Sequence, residues 1–399
     1  MEWLSIRHRS MTRPSDLHPI FRRVLEHAGT ADSRSLIPTP ALVCDVITLD
    51  RNIRRMADAA LAAGIAFRPH VKSHKSAFIA KRQLASGASG LAFAKLSEAE
   101  VIIDRLTTTG ADEHISALVT SPIVGEGAAQ RAAALNHACA LNVVVDHPDG
   151  VAELGDICTP DAPLSVLCDV DVGLGRTGVI THEDALRVVD AIAKNPALRF
   201  AGVQGYAGHL QHIAGRGARL DESRRSAERF QGIIDALEAA GFPVGLRTGG
   251  GTGTSYIDME LGVLNELQPG SYVFMDREYR DALAGDIEGE FEQSLTIATT
   301  VISTNQPGFV TVDAGLKAMS TDAGSPLVAG HETASLFHFF GDEQGLVTDG
   351  SDGPFPRGSR LDLIPPHCDP TVDRYEVMWL VNDDVVLDAV FVDARGCSQ

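Results

Sequence analysis

From Thr39 onward the chain alternates short apolar runs with amphipathic stretches for roughly 240 residues. No other feature restricts the fold so strongly. The apolar runs lie at 41–46, 64–67, 90–93, 115–120, 141–146, 164–171, 200–206 and 244–248. Helical patterns fall between them, at 49–63, 76–84, 97–106, 126–137, near 150–154, 182–194 and 220–240. Eight strands separated by helices predict an α/β fold, a (β/α)8 TIM-like barrel, in preference to a doubly wound open sheet.

The pattern changes near Leu267. Runs at 294–303, 308–313, 360–364, 375–381 and 385–392 are rich in β-branched residues, with turn residues between them and no long helix. They predict a C-terminal antiparallel β domain, with 342–357 as an exposed loop. The expected organisation is an N-terminal tail or arm at 1–36, a barrel at 37–280 and the β domain at 281–399. A net charge of −19 argues against a nucleic-acid partner, which would need a basic surface. No apolar run reaches the roughly 20 residues of a membrane helix. Residues 1–14 lack the apolar core of a secretory signal, and Met11 is an alternative start. Six scattered cysteines point to reduced thiols and a cytoplasmic setting.

Four stretches carry chemistry. Arg68-Pro69-His70-Val71-Lys72-Ser73-His74-Lys75 follows a strand, where barrels bind ligands. A lysine that attacks a carbonyl needs a free-base fraction, and Arg68, His70, His74 and Lys75 are its expected cationic neighbours. Taken alone, the stretch equally suits a phosphate-binding or solvated basic patch. The run Thr248-Gly249-Gly250-Gly251-Thr252-Gly253-Thr254 sits after the last strand, the usual phosphate position of a barrel. It is not a P-loop, since no Lys follows at the required spacing. In Asp171-Val172-Gly173-Leu174-Gly175-Arg176 the arginine is free to reach an oxyanion, and Tyr206 ends another strand. In Pro366-His367-Cys368-Asp369-Pro370, extended backbone would point His367 and Asp369 to one side and Cys368 to the other. Two such ligands suit a divalent metal that keeps several waters, Mn2+ or Mg2+. A salt-bridged His–Asp pair in a proline-rich turn explains the same spacing.

Together these stretches resemble the D-threonine aldolase family, among the alanine-racemase-like (fold type III) pyridoxal phosphate enzymes. Matching motifs also include Glu266-Leu267-Gln268, Gly270-Ser271-Tyr272, Phe274-Met275-Asp276 and Asp313-Ala314-Gly315-Leu316-Lys317. The resemblance implies that Lys72 carries pyridoxal 5'-phosphate. It implies that Gly250, Gly251, Thr252, Ser271 and Tyr272 hold the phosphate, and that Arg176 and Tyr206 contact the ring. It places the metal on His367 and Asp369, with zinc as a further option, and His367 among the catalytic groups. The implied reaction cleaves a D-β-hydroxy amino acid to glycine and an aldehyde, in a homodimer whose site lies between one subunit's barrel and its partner's β domain. A D-serine-type dehydratase is the alternative, as is a 3-hydroxy-D-aspartate aldolase. Dehydratases of this type carry His-x-Cys for zinc, whereas here position 369 is Asp. A non-catalytic pyridoxal phosphate carrier would lack the β domain and the His–Asp pair. The chain departs from the family at Gln344, where a His is usual, at Ala94 and at His209.

Overall fold

A computed structural model of the chain describes residues 17–109, 115–286, 291–349 and 355–399. Strand β1 (Ala41–Asp45) leads into a helix, Val46–Ala63, whose start and end are written locally. The Asp45 carboxylate accepts from the Thr48 N–H at 2.7 Å, and Gly64 stops the helix at φ +66°. Leu49, Ile53, Met56 and Ala60 recur on its buried face.

The barrel follows: β2 (Ala66–Phe67), β3 (Leu91–Phe93), β4 (Ser116–Val119), β5 (Ala140–Val145), β6 (Leu164–Asp169), β7 (Leu198–Gly205), β8 (Leu246–Gly249) and β9 (Glu266–Leu267). All pair in parallel, in the spatial order β2-β9-β8-β7-β6-β5-β4-β3. The ring closes between β2 and β3 through a parallel bridge, His70 to Ala92, and the Ser89 N–H on the Phe67 carbonyl. Leu118, Val144 and Leu167 fill the interior.

The predicted barrel counted the run 41–46 as a strand. The structure moves it: β1 pairs with β10 and β16 of the second sheet. Its place in the barrel is taken by the two-residue β9. A fully apolar strand is equally at home in either sheet, so periodicity cannot choose its neighbours.

The second sheet adds β10 (Leu295–Ser303), β11 (Phe309–Val312), β12 (Leu327–Val328), β13 (Phe337–Phe339), β14 (Gly345–Thr348), β15 (Arg360–Ile364), β16 (Val377–Asn382) and β17 (Val385–Phe391). Its main path is β13-β14-β11-β10-β1-β16-β17, with β15 on β10 and β12 on β15. It is mixed rather than antiparallel throughout, because β1 runs parallel to β16. The expected loop at 342–357 contains β14, and 350–354 lie outside the described residues. Residues 17–37 pack on this sheet: Leu17, Val24 and Ile37 join Trp379 and Val386 in one cluster. Residues 1–16 of the expected arm, with Met11, lie outside the described residues.

One buried ion pair links β2 to β9. Arg68 Nε donates to Glu266 Oε1 at 2.7 Å, and both side chains are almost fully buried. Glu266 also accepts from the Thr248 and Ser89 hydroxyls. Gly90 makes room for the guanidinium, since a Cβ there would lie 2.3 Å from Arg68 Nη1. Glu266→Ala strands a buried cation, and we expect it to cost about 3–5 kcal/mol in urea unfolding. A loss below about 1 kcal/mol would show that the pair does not brace the closure.

Candidate active site

Lys72 lies in a single 3-10 turn, Val71–Ser73, just past the carboxyl end of β2. Its expected cationic neighbours are neutralised or turned away, which corrects the sequence reading. Arg68 is paired with Glu266. Lys75 is paired with Asp373 at 2.7 Å and Glu98 at 3.4 Å. His74 accepts from the Ser76 N–H at Nδ1, so its Nε2–H donates to Gln83 Oε1, and burial pulls its pKa down to about 4. His70 is likewise held well below the usual imidazole value, by burial first and then by the charge of Lys72. Burial alone would depress the Lys72 amine too. The Asp369 carboxylate, 3.5 Å away, outweighs it with help from Tyr206, and the net shift is upward. Lys72 is therefore an ammonium held by Asp369. A cation placed on Asp369 would remove that support and favour the free amine.

The amine projects into a cavity of about 590 Å³, counted to its open mouth. Arg176, Tyr206, Gly251, Thr252 and Ser271 line it with Lys72, as do His70, Gln204, Gln268 and Tyr279. Lys72 Nζ and Arg176 Cζ lie 5.9 and 5.5 Å from the centre of the Tyr206 ring. Two predicted phosphate residues stand elsewhere. The Tyr272 ring is packed against Phe67 and Phe291, its hydroxyl accepts from Gln83, and its N–H donates to Thr252 Oγ1. Gly250, at φ +70°, faces Asp258: a Cβ there would lie 2.5 Å from Asp258 Oδ2.

The glycine run is a cradle that side chains would fill. A Cβ on Gly251 would lie 2.4 Å from Gln211 Oε1, and one on Gly253 2.0 Å from the Gln211 carbonyl. Gln211 accepts from the Gly253 N–H, and Thr254 Oγ1 bridges Gln211 to Asp258. Among the described residues the N–H groups of Thr252 and Ser271 meet no acceptor. Unpartnered donors beside a lysine, at the barrel's phosphate position, fit a phosphorylated aldehyde cofactor.

Asp369 faces the Lys72 amine from the segment between β15 and β16, and His367 lies two residues before it. His367 keeps the extended backbone expected from the spacing, but Asp369 does not. His367 is the residue before the helix Cys368–Val372, and Asp369 lies in its first turn. Asp369 accepts from Ser271 Oγ at 3.3 Å besides facing Lys72. The Cys368 thiol is fully buried, and burial holds its pKa well above normal. His367 Nδ1 lies 2.7 Å from Asp322 Oδ2, which leaves Nε2 free, the pattern by which a carboxylate orients a metal-binding imidazole. No group of three or more His, Cys, Asp or Glu is placed to hold a metal among the described residues. Two protein ligands fit an ion that keeps most of its waters. Lys72 and Asp369 belong to one chain, so this pairing needs no second copy.

Two further residues escaped the sequence reading. His212 packs on Tyr279, ring centres 4.6 Å apart, with Nδ1 3.3 Å from Glu278 Oε1. Burial, the largest influence, lowers its pKa. The fully buried Asp276 accepts from the Tyr279 N–H and from the Cys368 N–H, so it ties the helix start to the barrel. Nothing around Leu210-Gln211-His212 marks it in the sequence. Asp276 does stand in a quoted motif, but only its two hydrogen bonds reveal its part.

The comparisons agree with this geometry. Residues 44–278 match the alanine racemase N-terminal domain and 294–381 a putative serine dehydratase domain. A 3-hydroxy-D-aspartate aldolase of Paracoccus denitrificans is 37% identical over 372 residues, covering 91% of this chain and 93% of that one. A D-threonine aldolase of Arthrobacter sp. is 34% identical over 377 residues, covering 93% and 96%. The chain belongs to the D-threonine aldolase family. A crystal structure of a D-threonine aldolase from Filomicrobium marinum superposes with a TM-score of 0.86 at 33% identity, covering 92% of this chain and 98% of that one. Within this D-threonine aldolase family member, the predicted (β/α)8 class and the separate C-terminal sheet both stand.

Asp258 supplies a pH test of the cradle. Burial pushes its carboxyl up to about 7, against the hydrogen bond from Thr254. A raised carboxyl means that the folded state holds a proton which the unfolded chain releases near pH 4. Its contribution to stability is full below that pH and falls as pH rises to about 7. Asp258→Asn removes the dependence. Its melting temperature should match the parent's near pH 4 and exceed it by several degrees above pH 7. A gain independent of pH would contradict this account.

Proposed function

We propose that the protein is a carbon–carbon lyase that cleaves a D-β-hydroxy-α-amino acid of the D-threonine kind to glycine and an aldehyde. It does so with pyridoxal 5'-phosphate on Lys72 and a divalent ion on His367 and Asp369. One observation carries the reading: the Lys72 amine stands 3.5 Å from the Asp369 carboxylate, at the mouth of a cavity floored by the glycine cradle. When bound, the cofactor supplies an electron sink for the pair left on Cα. The metal, when bound, lowers the pKa of the β-hydroxyl and fixes its direction.

The chain's own groups do the rest. Thr252 and Ser271 hold the phosphate with their N–H groups, and Gly250 and Gly251 give the loop its shape. Tyr272 acts through its hydrogen bond to Thr252 rather than by contact. Arg176 and Tyr206, which line the cavity, would meet the ring hydroxyl and the region of the ring nitrogen. Asp322 holds His367 with its free nitrogen toward the ion. His212, whose pKa burial lowers and which Glu278 orients, would take the proton from the β-hydroxyl. Cα–Cβ cleavage then follows from that deprotonation.

A dehydratase using a thiolate-held zinc finds less support. Cys368 stays a buried thiol, and a carboxylate occupies the ligand position. Mn2+ or Mg2+ suits a His–carboxylate pair better than zinc. A 3-hydroxy-D-aspartate substrate differs only in its distal group. We further propose a homodimer, supported by exposed Leu336 and Phe340 flanking the edge strand β13. A cytoplasmic setting is supported by six unpaired cysteines; no helix among the described residues is long and apolar enough to cross a membrane.

A panel of D-β-hydroxy amino acids, assayed for glycine against ammonia, tests the reaction. Glycine release abolished by chelator and restored by Mn2+ is expected; ammonia as the main product would select the dehydratase. Lys72→Ala should lose the visible absorbance of the lysine-bound cofactor and fall by at least about 10³-fold in kcat. Retention of that absorbance would place the cofactor on another amine.

A further inference from the structure

Lys75 is unusual twice over. Its backbone has φ +49°, in the left-handed region that a long side chain occupies at a cost. Its charged side chain is also buried, only 10% exposed. Glycine would relieve both strains, so the side chain itself must offset them. Its ammonium meets Asp373 Oδ1 at 2.7 Å and Glu98 Oε1 at 3.4 Å. Asp373 closes the helix that begins with Cys368, and it accepts from the Gly396 N–H as well. Glu98 is anchored independently, by the N–H groups of Ala94 and Lys95.

The spacing matters. Lys72 lies in the turn Val71–Ser73 and Lys75 two residues past its end; Asp369 lies in the first turn of the helix Cys368–Val372, and Asp373, four residues on, closes it in helical conformation. The two segments meet in two rungs, Lys72–Asp369 at 3.5 Å and Lys75–Asp373 at 2.7 Å. The first rung must open when Lys72 takes the cofactor and Asp369 takes the ion. The second takes no part in that exchange.

We propose that the Lys75–Asp373 pair is a strut: Lys75 is a positioning residue that keeps Asp369 and His367 at working distance from Lys72 after their own contact has opened. The proposal rests on the aldolase reading above. It predicts a loss confined to the metal side of the site.

Asp373→Asn removes the rung while Lys75 keeps Glu98, so the fold survives. This variant should take up pyridoxal phosphate with the parent's visible absorbance. By titration calorimetry of the cofactor-loaded protein, its affinity for Mn2+ should fall about tenfold to a hundredfold, the range for groups that support metal ligands. The kcat should fall while cofactor affinity holds. Lys75→Met should reproduce the metal defect, and Lys75→Arg should restore most of the affinity. Unchanged Mn2+ affinity in both Asp373→Asn and Lys75→Met, with only a lowered melting temperature, would overturn the strut and leave the aldolase reading intact. A parent protein that binds the cofactor but no divalent ion would overturn the metal reading and the strut together.

Discussion

Lys72, in the turn after β2, and Asp369, in the helix between β15 and β16, are 297 positions apart in the chain and face each other at 3.5 Å. Almost every other feature of the site can be read as support for that approach. Arg68 and Glu266 brace the ring of strands beneath it. Asp276 holds the start of the Asp369 helix through the Cys368 N–H, and Lys75 holds its far end through Asp373. The helix is only five residues long and could not keep its place by its own hydrogen bonds. Its position is set by what grips it.

The electrostatics follow a similar logic. A run as basic as Arg68 to Lys75 suggests a cationic pocket, yet each charge is balanced within the protein or suppressed by burial. Arg68 and Lys75 have carboxylate partners, and the two histidines are neutral. Lys72 keeps its proton because Asp369 stabilises the ammonium. In the proposed reading an ion on Asp369 would weaken that support, so its ligation would be linked to the reactivity of the lysine through one carboxylate.

At the helix start the Asp369 carboxylate faces Lys72, while the buried Cys368 thiol, held protonated by burial, donates to Asp369 Oδ1 at 3.3 Å. His367 is aimed from outside the helix, by Asp322.

Much of this was legible in the chain. Alternating apolar and amphipathic runs determined the barrel class, because each strand needs a covering helix. The glycine run and the Lys72 turn were recognisable because their backbone shapes are local properties. What the chain could not reveal was pairing at a distance. The run 41–46 has an apolar pattern that satisfies either sheet, and β9 is too short to announce itself, so the exchange of one for the other was decided by packing. Likewise, His212, Asp276 and the partners that quiet the basic cluster come from segments remote in sequence. Local shape follows from torsional preference and patterning, which residues carry with them; charge state and register depend on neighbours that only the folded chain supplies.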